Sequence, residues 1–209
     1  MSKQANTPNH WDVAVKHLSQ SDPIMKKIIS QYKGETLTAR GDAFYSLARS
    51  IVGQQISAKA ADSVWKRLEE LLGKTTSKAA LSKSREELRA VGLSASKANY
   101  IVEIAKFFET HGAAPDWPED NDELVTLLTS IKGVGVWTAE MFMIFHLLKP
   151  DVLPLGDLGL LKGVGVHYGD GKNKAEKAFA EEVAKPWRPY RSVATWYLWR
   201  SLDPVPVEY

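Results

Sequence analysis

Residues 127–139 read LLTSIKGVGVWTA, a run of leucines that leads into two glycines and then into a second apolar segment. Apolar residues at helical spacing on both sides predict two helices. Because Gly133 and Gly135 tolerate backbone angles that other residues avoid, we expect a tight hairpin between the helices. The N–H groups at the start of the second helix, together with its dipole, suit a phosphate oxygen. A plain helix–turn–helix corner would contain the same Gly-x-Gly, so the spacing alone leaves both interpretations open.

Residues 152–160 read VLPLGDLGL and form a loop rich in glycine, proline and leucine, one helix length beyond the hairpin. Gly156 and Gly159 let the backbone bend around Asp157, and the apolar neighbours would shield its carboxylate from water. A shielded carboxylate is a candidate catalytic group. It is equally a candidate cap for the helix that comes after it, since aspartate is favoured at that position.

Two further segments combine polar or aromatic side chains with helical spacing. Residues 51–57 read IVGQQIS and lie between two amphipathic stretches, where the glutamines form either an exposed polar turn or a contact with a ligand. Residues 187–200 read WRPYRSVATWYLWR. Trp196 and Trp199 fall on one face of a helix and belong partly to the core, but a tryptophan-dense helix also offers stacking surface for a nucleobase.

The rest of the chain predicts an all-α fold, because apolar residues recur at helical spacing and no useful alternating pattern is present. Ser84 and Glu87 have the spacing of a capping box. Predicted helices cover about 44–52, 61–72, 84–91, 94–108, 122–131, 137–148, 174–184 and 189–201, with a loop over 151–160.

The amino-acid composition excludes several classes of functional site. Of the 209 residues, 44% are hydrophobic and 25% charged, which is typical of a globular protein. The chain has no cysteine, so disulfides, thiolate zinc sites, iron–sulfur clusters and cysteine nucleophiles are excluded. Its five histidines show no metal-site spacing, so we expect no metal bound by side chains. Formal net charge is +2, yet residues 160–200 carry eight basic and four acidic side chains, which is either a solvated face or a basic surface.

Taken in order, the four segments resemble the helix–hairpin–helix superfamily of DNA glycosylases, in particular its 3-methyladenine DNA glycosylase II branch, which acts on alkylated bases. The resemblance runs from about Phe44 to Arg200. It implies two helical lobes with the active site in the cleft between them. The expected organisation is an N-terminal helix in 1–40 that packs with the C-terminal lobe, a helical barrel-like domain in 41–150 that ends in the helix–hairpin–helix, and a catalytic loop and C-terminal lobe in 151–209.

The resemblance also assigns residues. Asp157 matches the catalytic carboxylate, and the base pocket falls on Trp137, Met141 and Trp199. Met141 stands where the family pattern has an aromatic residue, which departs from that pattern. The remaining matches are a DNA wedge at Gln54 and Gln55 and phosphate-binding positions at Lys132, Gly133, Gly135 and Thr138.

The activity that the resemblance implies is that of a monofunctional DNA glycosylase in base excision repair. Such an enzyme would excise alkylated purines of the 3-methyladenine and 7-methylguanine type by base flipping and Asp-assisted hydrolysis. Lyase activity is not expected, because the bifunctional members carry their lysine at the position occupied by Trp137. The alternatives are a non-catalytic helix–hairpin–helix DNA-binding module and a glycosylase of the same fold for another damaged base.

The same resemblance sets expectations for cofactors, partners and location. No cofactor is expected to be required, although a monovalent cation held by hairpin carbonyls is compatible with the resemblance. The expected partner is double-stranded DNA with alkylated bases, bound by a monomer without membrane attachment. A polar start and the shortness of the apolar runs favour an intracellular protein, in the cytoplasm of a bacterium or the nucleus of a eukaryote.

Overall fold

The computed structural model describes residues 7–39, 42–171 and 173–203. Within those ranges the chain forms α-helices and one turn of 3-10 helix but no β-strand, so the predicted all-α fold is confirmed. In chain order the helices are α1 (Trp11–Ser21), α2 (Pro23–Gln31), α3 (Ala43–Gly53), α4 (Ala58–Leu72), α5 (Ser77–Leu81), α6 (Arg85–Ala90), α7 (Ala95–His111), α8 (Asn121–Thr129), α9 (Val136–Phe145), α10 (Leu158–Tyr168), α11 (Lys177–Val183) and α12 (Arg191–Leu202); the 3-10 turn is Lys185–Trp187.

The chain divides into two compact units, and the division falls inside α9. The described residues between Asp42 and Phe142 form one unit, here called the hairpin unit. Those before position 40 join those from Met143 onward in the other, here called the terminal unit. The outermost parts of the predicted domains, 1–6 and 204–209, lie outside the described residues.

Two helix caps in the hairpin unit agree with the sequence, whereas α8 is capped by Asp120 and not by Asn121 or Asp122 as the sequence predicts. Ser84 accepts a hydrogen bond from the backbone N–H of Glu87, whose carboxylate accepts one from the Ser84 backbone, so the predicted capping box is confirmed. Ser94 caps α7 by accepting from Lys97 N at 3.2 Å. The face of α3 that was expected to be apolar is buried. Helix α7 packs against α3, α5 and α6 and is the central helix of this unit.

In the terminal unit the buried carboxylate of Asp22 joins distant parts of the chain. Its Oδ1 caps α2 by accepting from the backbone N–H groups of Ile24 and Met25. Its Oδ2 accepts from the hydroxyl of Tyr168 at 2.7 Å and from Nε1 of Trp187 at 2.8 Å. Burial, reinforced by this carboxylate, raises the pKa of the Tyr168 hydroxyl. A buried charge with this many donors is fully paired and holds α2, α10 and the 3-10 turn together.

The largest difference from the sequence-based prediction is α10. We expected a loop up to residue 160 and no helix before residue 174, but Leu158–Tyr168 is helical and is capped by Asp157. Its interior contains Gly163 and Gly165, although glycine weakens a helix interior. They lie inside the helix because neighbouring elements come too close for a side chain: a Cβ at Gly163 would lie 2.9 Å from Cβ of Leu198.

Other boundaries differ by a few residues. The helix expected over 137–148 ends at Phe145, and Leu148 has a positive φ of 54°. The last helix begins at Arg191, two residues later than predicted. Two helices, α1 and α2, occupy the N-terminal segment, where one was predicted. No helix among the described residues is both long and apolar enough to cross a bilayer.

Candidate functional site

Asp157 lies at the start of α10 and is 8% exposed. Its Oδ1 accepts two hydrogen bonds, from the backbone N–H of Leu160 at 2.7 Å and from Nε1 of Trp199 at 2.7 Å. The prediction that Asp157 caps a helix is therefore confirmed, and the same oxygen also accepts a hydrogen bond from a second helix. Two N–H donors on one oxygen fix the orientation of the carboxylate and stabilise its charge.

Trp199 on α12 is the side chain that holds Asp157 from outside the loop. The indole is 5% exposed and stacks on Phe145, with ring centroids 5.6 Å apart and planes 12° from parallel. Gly159 makes the contact possible, since a Cβ there would lie 2.9 Å from Trp199 Cδ1 and 3.0 Å from Asp157 Oδ1. A buried, stacked ring has little freedom to turn, so the donor is held in place for the carboxylate.

The loop that carries Asp157 is tied at its beginning to the start of α12. Asp151 accepts from Nε of Arg191 at 2.6 Å and from Nη2 of the same guanidinium at 2.9 Å. The backbone N–H of Val152 donates to the hydroxyl of Ser192 at 2.9 Å. These contacts and the bond from Trp199 to Asp157 link both ends of the loop to one helix.

The hairpin lies between the end of α8 and the start of α9. Gly133 has φ of +100°, and the ring of Tyr100 on α7 fills the space that a Cβ would need, so only glycine fits there. Gly135 has open space at the same position, and Gly135 and Lys132 are exposed. Another molecule can therefore approach the backbone of the hairpin closely at Gly135.

Predicted phosphate-binding residues divide into an outer and an inner set. Lys132 and Gly135 face outward, whereas Thr138 is 2% exposed. The Oγ1 of Thr138 accepts from Nε2 of Gln54 at 3.2 Å. The Thr138 side chain therefore contacts the turn between α3 and α4.

The two glutamines of that turn differ in direction. Gln54 is half-buried, and besides Thr138 its Nε2 donates to the carbonyl of Gly133 at 3.4 Å. Gln55 is exposed and has φ of +58°, one of only two positive values among the described residues other than glycine. A positive φ in a residue with a side chain is a strained state that its surroundings must maintain. Of the two predicted wedge residues, Gln55 therefore remains the candidate, and Gln54 stabilises the turn.

The predicted base-pocket residues occupy two places. Trp137 and Met141 lie one turn apart on α9, in the hairpin unit, where Trp137 is half-buried and Met141 is 1% exposed. Trp199 belongs to the terminal unit, with Asp157. Sequence reasoning did not find Phe145, Tyr100 or Lys97, since each acts through residues far from it in sequence.

The described residues contain no group of three or more His, Asp or Glu side chains placed to bind a metal ion. The terminal unit contains a buried carboxylate held by two N–H donors. The hairpin unit contains an exposed glycine hairpin and a turn with a strained glutamine. Together with the all-α fold, these features agree with the resemblance to helix–hairpin–helix DNA glycosylases.

Comparison with known proteins agrees with that class. Residues 48–189 match the family model of the HhH-GPD superfamily of base excision DNA repair proteins. The match covers more than half of the chain and includes the second half of α3, the hairpin and the Asp157 loop. The chain belongs to this superfamily.

Individual relatives extend over most of the chain. DNA-3-methyladenine glycosylase 1 of Schizosaccharomyces pombe is 30% identical over 88% of this chain and 85% of its own length. The crystal structure of the DNA-3-methyladenine glycosidase of Bacillus halodurans is 36% identical, with a TM-score of 0.75 over 90% of this chain and 88% of that one. A 3-methyladenine DNA glycosylase of Schizosaccharomyces pombe, solved in complex with abasic DNA, is 28% identical, with a TM-score of 0.76 over 90% and 96%.

Proposed function

We propose that this chain is a monofunctional DNA glycosylase that excises alkylated purines, of the 3-methyladenine and 7-methylguanine type, in base excision repair. The observation that carries the proposal is Asp157, a buried carboxylate whose Oδ1 is held by Trp199 and by the start of α10. Relatives named for 3-methyladenine excision support the choice of substrate.

Chemistry at the sugar requires a negative group beside a developing positive charge. When the bond between C1′ and the purine nitrogen breaks, its electron pair leaves with the base, and the sugar passes through an oxocarbenium-like state. Asp157 stabilises that charge and takes a proton from the water that adds to C1′. The products are the free base and an abasic site in an intact strand.

The alkylated base is a good leaving group because a methyl group on a ring nitrogen makes the purine cationic, and departure neutralises it. A cation over a tryptophan face gains about 0.5–2 kcal/mol. Trp137 supplies such a face on α9, and Met141, the other predicted pocket residue of that helix, is buried one turn further on. Trp199 would border the base while it holds Asp157.

An enzyme acting on a base inside a duplex must first extrude it. Gln55 fills the gap left in the stack and hydrogen-bonds the orphaned base. The hairpin backbone at Gly133 and Gly135 and the ammonium of Lys132 hold phosphates. No step requires a cofactor; a monovalent cation on hairpin carbonyls would serve only the grip on DNA. The protein is proposed to act as a monomer, wherever the cell keeps its DNA.

Two alternatives compete with this proposal. Against a module that only binds DNA stand the relatives named as DNA-3-methyladenine glycosylases, which match over most of this chain. A glycosylase of the same fold for another damaged base would keep Asp157 but need another pocket. A panel of duplexes, each with one modified base and scored for base release, separates these possibilities. Release of none would remove the enzymatic proposal, and release of oxidised bases only would change the substrate.

Asp157→Asn should lower base excision at least ~10²-fold, the scale of losing a positioned catalytic group. Binding to lesion DNA should persist, because phosphate contacts supply most of the affinity. Trp199→Phe keeps a stacked ring but removes the donor to Asp157 and should give a smaller loss. Single-turnover kinetics and gel-shift binding measure both. Asp170→Asn, an exposed position, is the matched control, and near-wild-type turnover by Asp157→Asn would remove the assignment.

The product should be an intact strand that breaks only after added alkali. Strand cleavage by a glycosylase requires an amine that attacks the sugar and forms a Schiff base. Trp137 stands at the hairpin position where the resemblance places that lysine, and it cannot do this chemistry. Borohydride trapping checks the prediction, since a covalent adduct between protein and DNA would identify a lyase and direct attention to Lys132 or Lys162.

A further inference from the structure

Lys97, in the first turn of α7, uses its ammonium to bind the end of a different helix. Its Nζ donates to the carbonyl of Val52 at 2.8 Å and to the carbonyl of Gln54 at 2.7 Å. Helix α3 ends at Gly53, so both acceptors belong to its carboxyl-terminal end. A cation there satisfies carbonyls that lack helical partners and complements the negative end of the helix dipole. Partial burial lowers the pKa of Lys97.

The residue directly after these carbonyls is Gln55, with its φ of +58°. The strain at Gln55 persists only where its neighbours fix the backbone. Lys97 fixes the carbonyl of Gln54, which belongs to the peptide group that leads into Gln55. The side chain of Gln54 holds the same turn from the other side, through Thr138 and Gly133. Three contacts therefore hold Gln54, the residue directly before the predicted wedge Gln55.

The same face of α7 also contacts the hairpin. Tyr100 lies three residues after Lys97 and packs its ring against Gly133. Residues three apart share a helix face. The first turns of α7 thus support the turn before Gln55 through Lys97 and the hairpin through Tyr100, all within the hairpin unit.

We propose that Lys97 is a positioning residue for base extrusion, which holds Gln55 in the left-handed conformation that directs its side chain into the DNA stack. The inference rests on the proposed function and adds a residue whose ammonium is bound to the protein's own backbone. It predicts that loss of the ammonium acts only where the wedge is needed. The chemical step at Asp157 should proceed normally once a base is unpaired.

The test compares two duplexes that carry the same 7-methylguanine, one opposite cytosine and one opposite an abasic site. Extrusion is hardest from the intact pair and easiest where no partner base has to be left behind. Lys97→Met keeps the apolar stem and removes the ammonium. We expect single-turnover excision opposite cytosine to fall about 10-fold or more, and excision opposite the abasic site to stay within about 2-fold. Lys106→Met is the matched control, since the ammonium of Lys106 pairs with Glu103 of the same helix.

A double-mutant cycle shows whether Lys97 acts through Gln55. In a Gln55→Ala background, Lys97→Met should cause no further loss opposite cytosine, because the side chain that it positions is already gone. Equal losses on both duplexes, no loss on either, or additive losses with Gln55→Ala would each overturn the proposal. If Lys97→Met does not fold, Lys97→Gln replaces it, because glutamine keeps a donor for one carbonyl. The measurement is again the loss of excision opposite cytosine compared with the loss opposite the abasic site.

Failure of the proposed function would look different. Absence of base release by the wild-type protein on both duplexes would contradict glycosylase activity. The role of Lys97 is then judged from fluorescence of 2-aminopurine placed next to the modified base, which rises when the stack opens. A wild-type rise that Lys97→Met and Gln55→Ala both abolish supports the positioning role without any excision, and a rise unchanged in Lys97→Met overturns it.

Discussion

The same five residues, Lys-Gly-Val-Gly-Val, occur twice in this chain with different secondary structures. At 132–136 they form the exposed hairpin between α8 and α9, and at 162–166 they lie inside α10. The second copy begins five residues after Asp157. The pentapeptide itself cannot explain the difference, because it is identical in both places; the residues that surround each copy must.

In the hairpin copy the first glycine has a left-handed backbone. Gly133 has φ of +100°, and the ring of Tyr100 excludes any side chain there. Its carbonyl accepts from Gln54. In the helical copy neither glycine has a positive φ. Gly163 admits Leu198 of α12, and Gly165 admits the carbonyl of Asn173. One copy uses glycine for a turn, and the other uses it for close packing.

Gly165→Ala should have the largest effect of the single substitutions that probe this contrast. Alanine normally stabilises a helix interior relative to glycine by about 0.5–1 kcal/mol. Here its Cβ would meet the backbone carbonyl of Asn173, which cannot swing aside as a side chain can. We expect a net loss of about 3 kcal/mol, which corresponds to a fall in Tm of about 6–12 °C. Calorimetry measures the Tm of the variant against that of the wild-type protein. An unchanged or raised Tm would show that the close approach of Asn173 to Gly165 does not require glycine.

Gly133→Ala should cost somewhat less stability but more DNA affinity. A positive φ with a side chain costs about 1–3 kcal/mol, and the Tyr100 ring must also move. Because the strain falls on the hairpin, binding to abasic DNA should weaken more than in Gly165→Ala at a temperature where both variants are folded. Gly135→Ala is the control for stability, since its Cβ meets nothing within 4 Å. Equal binding by the Gly133 and Gly165 variants would contradict a hairpin grip.

The two lysines of the repeated sequence give the smallest and cleanest contrast. Lys132 and Lys162 are both exposed and stand at the same position of the pentapeptide. If only the hairpin copy contacts a phosphate, Lys132→Ala reduces the slope of log affinity against log salt by about 1. Lys162→Ala should leave that slope unchanged. Titrations at several salt concentrations measure it, and identical slopes for the two variants would mean that the copies do not differ in this respect.

The contrast between the two copies also explains what the sequence could predict. The hairpin, the capping box at Ser84 and the apolar face of α3 depend on residues close together in the chain, and they were predicted correctly. Helix α10 was not predicted, and its interior contains two glycines, Gly163 and Gly165. Their true partners, Leu198 and Asn173, are identified only once the chain has folded.

Candidate site residues show the same limit. Asp157 stands out locally, through its glycines and leucines. Its bond to Trp199 joins residues 42 positions apart, and the contacts of Lys97 with Val52 span 45. No local pattern encodes either pair, and Trp199 was predicted as a pocket residue only from the resemblance. The different roles of Gln54 and Gln55 likewise depend on the hairpin, because Gln54 contacts residues about eighty positions further along the chain.

The carboxylate of Asp22 has a consequence for the order in which the protein is made. Its partners Tyr168 and Trp187 are 146 and 165 residues further along the chain. On a ribosome that adds about 5–20 residues per second, α1 and α2 emerge many seconds before the residues that pair with Asp22. The hairpin unit, continuous in sequence, can complete its own fold during that interval. The faces of α1 and α2 that pack against α12 and the 3-10 turn therefore stay exposed until those elements have been synthesised.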